Sequence, residues 1–529
     1  MLARSRPIAD PARRHRVALA VALILLVSTG LRLWQLGTPA DYMFDEVYYA
    51  KDAKAIVDGR VGPQPPLRWE AGDEVSWPHP EMGKLAIAAG IVLFGDRGFG
   101  WRLPAVIAGV VLLACVYPLA RRLGLSPGWS ILALLLAAAD PLGMTQSRIA
   151  TLDIFIAVWS TICVLFALRY VQDGWRMRWV FVSGAAGGMA LATKWSGALA
   201  LVAAALIVLI AWVSERRHTA AVIAAGEPAE EPARAATEAV AKSPPPVTTA
   251  TVATTPRWPA LIAALVLLPA VLYVVTYVQY FASGHTLTDW WELHRQMVQF
   301  NLHLEATHSY ASIAPSWIID FRPVWYYFEG EKMYRGVIAI GNPFLWWLAT
   351  LTFIAAPILA IARRSYVLLP AAALVAVLYL PWFATTRTSF LYYMTPVAPF
   401  LAILVAAGLC RFAGGDEVPR RGWWVLAVAA VATAVLWQPL AQLAAWLFWE
   451  VPRRAGATFG WVGVAVGIVL ALAVVAAVTA PRFRERRLWV ALAVAGAIVG
   501  IAVAFIPVVL ALPITPEYFS RITWFPSWI

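Results

Sequence analysis

The sequence predicts an all-α polytopic membrane protein, and three observations carry that expectation. Of its 529 residues, 61% are hydrophobic and only 14% charged, where soluble domains carry roughly 25% charged residues. Apolar runs long enough to cross a bilayer recur along the whole chain. The basic residues behind the net charge of +12 sit in short connections between those runs, the pattern of cytoplasmic loops. The charge therefore speaks for topology and anionic-lipid contact, not for nucleic acid. The runs predict about 11–13 transmembrane helices and two large extracytoplasmic loops.

Arg4, Arg6, Arg13, Arg14 and Arg16 precede the first apolar run and place the amino-terminal segment in the cytoplasm. The run at about 17–36 has no small-residue cleavage site behind it and reads as a retained anchor. Residues 37–100 form the first outer loop. They hold Asp45, Glu46 and Asp52, a turn at Pro63, Pro65 and Pro66, and the knot from Trp77 to Lys84. The apolar stretch 84–95 is short for a span and reads as an interfacial or re-entrant helix. Further spans are expected at about 103–120, 129–144, 150–168, 179–193 and 197–213. Asp140-Pro141 and Arg148 then lie near the outer surface, and Lys194-Trp195 at an outer turn.

Residues 219–257 are rich in Ala, Pro, Thr, Glu and Val and include Ser243-Pro244-Pro245-Pro246. With almost no aromatic surface to pack, they read as a disordered cytoplasmic linker. It divides an N-terminal membrane module, 1–218, from a C-terminal one, 258–529. Spans follow at about 259–281, 341–361, 366–380, 395–411, 424–441, 459–480 and 488–509. Residues 282–336 form the second outer loop, with His285, His294, His303, His308, Glu305, Asp320, Arg322 and the run Trp325-Tyr326-Tyr327-Phe328. Arg453-Arg454 falls outside and breaks the charge rule once. Trp524, Phe525 and Trp528 are expected at the outer interface. Cys115, Cys163 and Cys410 lie in or beside apolar segments without metal-ligand spacing and read as buried thiols.

Ionisable groups at membrane depth are expensive and usually have a purpose. Here the outer side collects Asp45, Glu46, Asp52, His79, Glu81, Lys84, Arg102, Arg148, Asp153, His308, Arg322 and Arg387, while inner loops hold ordinary basic residues. That asymmetry points to an outward-facing active site. Asp45 and Glu46 diverge whether the segment is extended or begins a helix, so each is expected to have its own partner. One could accept a proton from an incoming hydroxyl while the other holds a cation or orients a loop. The competing account is a pair of carboxylates at a helix N-terminus.

Pro78 and Pro80 stiffen the backbone on either side of His79. Lys84 meets a phosphate or merely snorkels. Arg102, just before Leu103-Pro104, stands at the lip of a span as a site residue or an anchor. Arg148 and Asp153 lie about 140° apart around a helix, so separate partners are expected. Arg387 sits among hydroxyls and aromatics that include Tyr392, and its planar fork suits phosphate oxygens. No glycine-rich phosphate loop follows a strand, so any activated donor is expected from the membrane itself.

Several motifs follow in order: Phe44-Asp45-Glu46-Val47-Tyr48-Tyr49-Ala50-Lys51, His79-Pro80-Glu81-Met82-Gly83-Lys84, Trp101-Arg102-Leu103-Pro104 and Ser147-Arg148-Ile149-Ala150-Thr151-Leu152-Asp153. Then come His308-Ser309-Tyr310-Ala311-Ser312, Arg322-Pro323-Val324-Trp325-Tyr326-Tyr327 and Arg387-Thr388-Ser389-Phe390-Leu391-Tyr392-Tyr393. Together they resemble the protein O-mannosyltransferase family in its bacterial, actinobacterial-like form. The resemblance implies the glycosyltransferase C fold in a bacterial plasma membrane, with the active site outside. It implies a polyprenyl-phosphate-mannose donor, Ser/Thr acceptors on proteins emerging through the secretory translocon, and inversion to an α-linked mannose. It makes Asp45 the catalytic base with Glu46 in support, and matches the family's outer-lip arginine to Arg102, with Arg148 second. Lys84 and Arg387 become candidates for the donor phosphate, and His79, Asp153, His308, Arg322 and Tyr392 for substrate binding.

Two departures stand out. The family's His-Pro-Pro is His79-Pro80-Glu81 here, and the 282–336 loop is too short for the β-trefoil of eukaryotic relatives. No ligand spacing supports a metal requirement. The competing readings are transfer of another polyprenyl-linked sugar to a lipid or glycan, and a transporter. The transporter reading lacks a visible repeat and midplane polar groups.

Overall fold

The computed structural model describes residues 10–59, 78–224, 257–303, 307–415, 417–445 and 486–529. Among them, seven helices are long and apolar enough to cross a membrane. The first part comprises α1 (Pro11–Leu33), α2 (Glu46–Val57), α3 (Met82–Phe94), α4 (Gly98–Arg122), α5 (Pro127–Ala138), α6 (Pro141–Gln146), α7 (Asp153–Gln172), α8 (Met177–Leu191) and α9 (Ala198–Ala224). From residue 257 on come α10 (Trp258–Val275), which contains a π turn at Ala263–Leu267, and α11 (Leu287–His303). A two-stranded antiparallel hairpin, β1 (Val324–Glu329) and β2 (Arg335–Ala339), interrupts the helices. The bundle resumes with α12 (Pro343–Arg363), α13 (Leu369–Tyr379), α14 (Ala398–Ala413), α15 (Arg420–Ala445), α16 (Arg487–Val509) and α17 (Pro516–Ile522).

The all-α polytopic expectation holds, with the hairpin as the one addition among the described residues. Helix packing uses small residues where lipid gives no hydrophobic drive between helices. Gly496 and Gly500 of α16 lie four apart, and a Cβ on either would overlap the backbone carbonyl of Leu426 or Ala430 on α15. Trp129, Trp317, Trp346 and Phe400 are fully buried in the main core. At the end of the bundle away from the hairpin, Arg122 pairs with Asp173 at 2.5 Å and the Arg169 guanidinium lies 3.8 Å over the Trp179 ring.

Three expectations are corrected. The span expected at 129–144 is broken: α5 ends at Ala138, and α6 restarts at Pro141 with Asp140 as its cap. Asp140 is buried rather than at the outer surface, because its carboxylate accepts from Leu142 N, Asn342 N (2.9 Å) and Trp346 Nε1 (3.2 Å). Residues 219–224, expected as the start of a disordered linker, belong to α9, which continues to Ala224; the rest of that expected linker, 225–256, lies outside the described residues. The span at 459–480, Arg453-Arg454, the prolines at 63–66 and Glu305 also fall outside them. The 84–95 stretch is α3, an apolar helix of 13 residues.

Asp320, at the foot of the hairpin, is fully buried with φ 60°. One carboxyl oxygen accepts from Gly341 N at 3.1 Å, and the other has no partner. Burial, reinforced by Asp140, holds its pKa well above the carboxylate range. The folded state therefore keeps a proton that the unfolded chain gives up near pH 4, and stability falls as pH rises above that value. Asn tolerates positive φ and has no carboxyl proton to lose, so Asp320→Asn is expected to gain stability relative to wild type as pH rises. The gain should be larger at pH 8 than at pH 5 by thermal unfolding. An equal difference at both values would overturn this.

Candidate active site

The site grows from the turn that ends the first connection. Phe44 sits at φ 46°, a conformation that costs a bulky residue energy and persists only where its surroundings hold it. Its ring stacks on Tyr326 at 4.7 Å and meets Tyr392 edge-on at 5.8 Å. Asp45 follows as the N-cap of α2, but its side chain makes no capping bond. Instead Tyr392 OH donates to Asp45 Oδ2 at 3.4 Å. Asp45 is half-buried. Burial first, then the Asp153 carboxylate, push its pKa up to about 7, against the opposing pull of Lys194 and the Tyr392 bond.

Glu46 turns the other way and is fully buried. Its carboxylate accepts from Arg102 Nε (2.8 Å), Arg102 Nη2 (2.7 Å), Met43 N (2.9 Å) and Ala150 N (2.9 Å). Arg102 also donates to the carbonyls of Leu36, Pro39 and Asp41. That uses all five guanidinium N–H groups. Arg148 Nη1 donates to the carbonyls of Leu31, Arg32 and Trp34 and caps the end of α1. Glu46 was expected to support Asp45, with Arg102 and then Arg148 as the outer-lip arginine of the site. In the structure their hydrogen bonds pin α1, the 36–46 segment and Ala150 together, while Asp45 turns toward Tyr392.

A basic group assembles nearby. Lys194 Nζ donates to Asp153 Oδ1 at 3.3 Å and lies 4.1 Å over the Tyr393 ring. Arg387 Nη1 donates to Asn301 Oδ1 and Nη2 to Tyr393 OH at 3.2 Å, while its buried Nε has no partner. Asn301 in turn donates to Pro78 O at 3.3 Å, beside His79. Lys84 is buried and donates to Glu81 at 2.7 Å, which gives Glu81 its role. Burial, then Lys194, Arg387 and Lys84, hold the His79 pKa well below the usual histidine value, so the ring is neutral at pH 7. Contacts join these groups: Lys194 and Arg387 both meet Tyr393, Arg387 reaches the backbone beside His79 through Asn301, and Lys194 pairs with Asp153.

His308 is exposed, edge-on to Phe390 at 5.1 Å and to Phe44 at 6.1 Å. Arg322 donates to Ser309 O at 2.8 Å and braces the same loop. The sequence reading missed Lys194, Asn301 and Tyr393 as site residues. Lys194 carried a signal, a lone cation between two apolar runs; Asn301 carried none.

The arrangement sets a carboxylate poised near neutrality beside a phenol, with clustered cations for an anion. The description "Dolichyl-phosphate-mannose-protein mannosyltransferase" matches residues 78–225, and "C-terminal four TMM region of protein-O-mannosyltransferase" matches 286–451. A polyprenol-phosphate-mannose–protein mannosyltransferase of Mycobacterium tuberculosis is 27% identical over 505 residues, covering 81% of this chain and 88% of that protein. An undecaprenyl phosphate-alpha-4-amino-4-deoxy-L-arabinose arabinosyl transferase of Pseudomonas aeruginosa is 32% identical over 209 residues, 37% of this chain and 35% of that protein. Among solved structures, the S. cerevisiae protein O-mannosyltransferase Pmt1-Pmt2 complex bound to the sugar donor superposes with a TM-score of 0.66 at 13% identity, covering all of this chain and 94% of that one. The chain thus has the glycosyltransferase C fold and belongs, at low identity to the bacterial enzymes, to the protein O-mannosyltransferase superfamily.

Proposed function

We propose that this protein transfers mannose from polyprenyl-phosphate-mannose to Ser or Thr hydroxyls of secreted or membrane proteins at the extracytoplasmic face. The observation that carries this reading is Asp45, half-buried and raised to about 7, standing free of its own helix beside a cluster of cations. In a single displacement, the acceptor oxygen attacks the anomeric carbon, and Asp45 takes the hydroxyl proton. The bond from that carbon to the phosphate oxygen breaks on the opposite face, and polyprenyl phosphate departs as an anion. Lys194 and Arg387, with neutral His79 as hydrogen-bond partner, stabilise the phosphate as its charge grows. Asp153 holds Lys194 in place. The leaving phosphate is already acidic, so no strong general acid is required.

Lys194→Met is expected to raise the donor KM by about 10- to 100-fold, the cost of a charge-assisted contact. An unchanged donor KM would remove Lys194 from the phosphate site. The whole reading is tested in membranes holding matched amounts of the protein, with labelled polyprenyl-phosphate-mannose and a Ser/Thr-rich secreted peptide. Labelled peptide supports it. The similarity to the arabinosyl transferase favours a second reading, transfer of another polyprenyl-linked sugar to a lipid or glycan. Label in the lipid or glycan fraction with none in the peptide would select that reading.

A further inference from the structure

Residues 514–528 are tied to the hairpin at several points. Tyr334 and Ile514 exchange both backbone hydrogen bonds at 2.8 Å. The Phe519 ring packs on Trp325, Phe328 and Tyr334, with centroids 5.6, 5.2 and 5.4 Å away. Trp325 Nε1 donates to Trp528 O at 2.8 Å, and Trp528 Nε1 donates to Asp320 O at 2.8 Å. Ser527 Oγ donates to Phe321 O at 2.6 Å.

The next residue on β1 faces the site. The strand register shifts between Trp325 and Tyr327, so Tyr326 is the extra residue of a β-bulge. Alternation is broken there, and Val324, Trp325 and Tyr326 are all buried. Trp325 meets the 514–528 segment while Tyr326 stacks on Phe44 and accepts from Gln146 Nε2 at 2.7 Å. A bulge gives up ladder bonds, and a lone two-stranded hairpin is marginal in stability. The aim of Tyr326 therefore depends on support from outside the sheet.

We propose that residues 514–528 are a positioning element for the transfer reaction: by holding Trp325 they fix the bulge that presses Tyr326 onto Phe44, and so set where Asp45 meets the acceptor hydroxyl. The inference rests on the reading of Asp45 as the base. The test uses the full chain in lipid nanodiscs and compares Trp325→Phe and Trp528→Phe, each of which keeps a ring but deletes one N–H bond. Ser520→Ala on the exposed side of α17 is the control, and Asp45→Asn runs beside them. Expected are a kcat lowered about 10- to 100-fold in both ring variants, a donor KM within about twofold, and a shifted acid limb of the pH–rate profile. The control should match wild type. A folded Trp325→Phe with wild-type kcat and pH profile overturns the proposal. So does a loss in which donor KM and unfolding temperature move together with kcat, the mark of general loosening. Retained transfer by Asp45→Asn would instead sink the reading of the base, whatever the ring variants do.

Discussion

Asp45→Asn is expected to lower sugar transfer by about 10²- to 10⁴-fold, the range that a positioned general base contributes, while the protein folds normally. The side chain caps no helix and makes one long hydrogen bond, from Tyr392, so little of the frame depends on its charge. The pH behaviour separates this from a structural role. With a pKa of about 7, the wild-type base is half protonated near neutrality, and kcat should climb with pH through about 7 and then level. Stability runs the other way. The folded state holds a proton that the unfolded chain releases near pH 4, so this group makes folding less favourable as pH rises from about 4 through about 7. Asp45→Asn removes that penalty and should be at least as stable as wild type at pH 8. Initial rates and unfolding temperatures across this range check both limbs. A wild-type rate that is flat through neutrality would remove Asp45 as the base.

The parts legible from sequence were those written locally. Hydropathy located most of the spans among the described residues because every backbone polar group in lipid must be satisfied within its own helix. The Asp45-Glu46 pair stood out because adjacent carboxylates after an apolar run are rare, and their divergence followed from helix geometry. What could not be read were contacts across long sequence distances. Arg102 meets Glu46 across 56 residues, so its position at the lip of a span suggested substrate contact as readily as a structural clamp. Arg148 looked equivalent, yet it caps α1 from more than 100 residues away. Asp140 lay inside an apolar run that hydropathy read as continuous; Pro141 stops the helix there, and the arrival of Asn342 and Trp346 explains how the Asp140 carboxylate stays buried. The bulge at Tyr326 was hidden because one added residue changes which side chains face inward without altering composition.

Arg102 carries the largest expected effect on stability. Arg102→Ala should cost about 3–5 kcal/mol, because it strands the buried Glu46 carboxylate and removes donors from three backbone carbonyls. Against a total folding stability of about 5–15 kcal/mol, most of the protein should fail to accumulate. Arg102→Lys is not expected to rescue it. An ammonium offers three donors from one point, where the guanidinium supplies five in a fixed plane. Glu46→Gln should also destabilise, since its NH₂ would confront groups that all donate. The residual folded fraction distinguishes framing from catalysis. If Arg102 acts only through Glu46 and the 36–46 segment, the donor KM of that fraction stays near wild type while kcat falls with the misplacement of Asp45. Normal accumulation of Arg102→Ala with a raised donor KM would place the guanidinium at the phosphate instead. Expression-matched assays, with the folded fraction measured by size-exclusion chromatography, decide between the two.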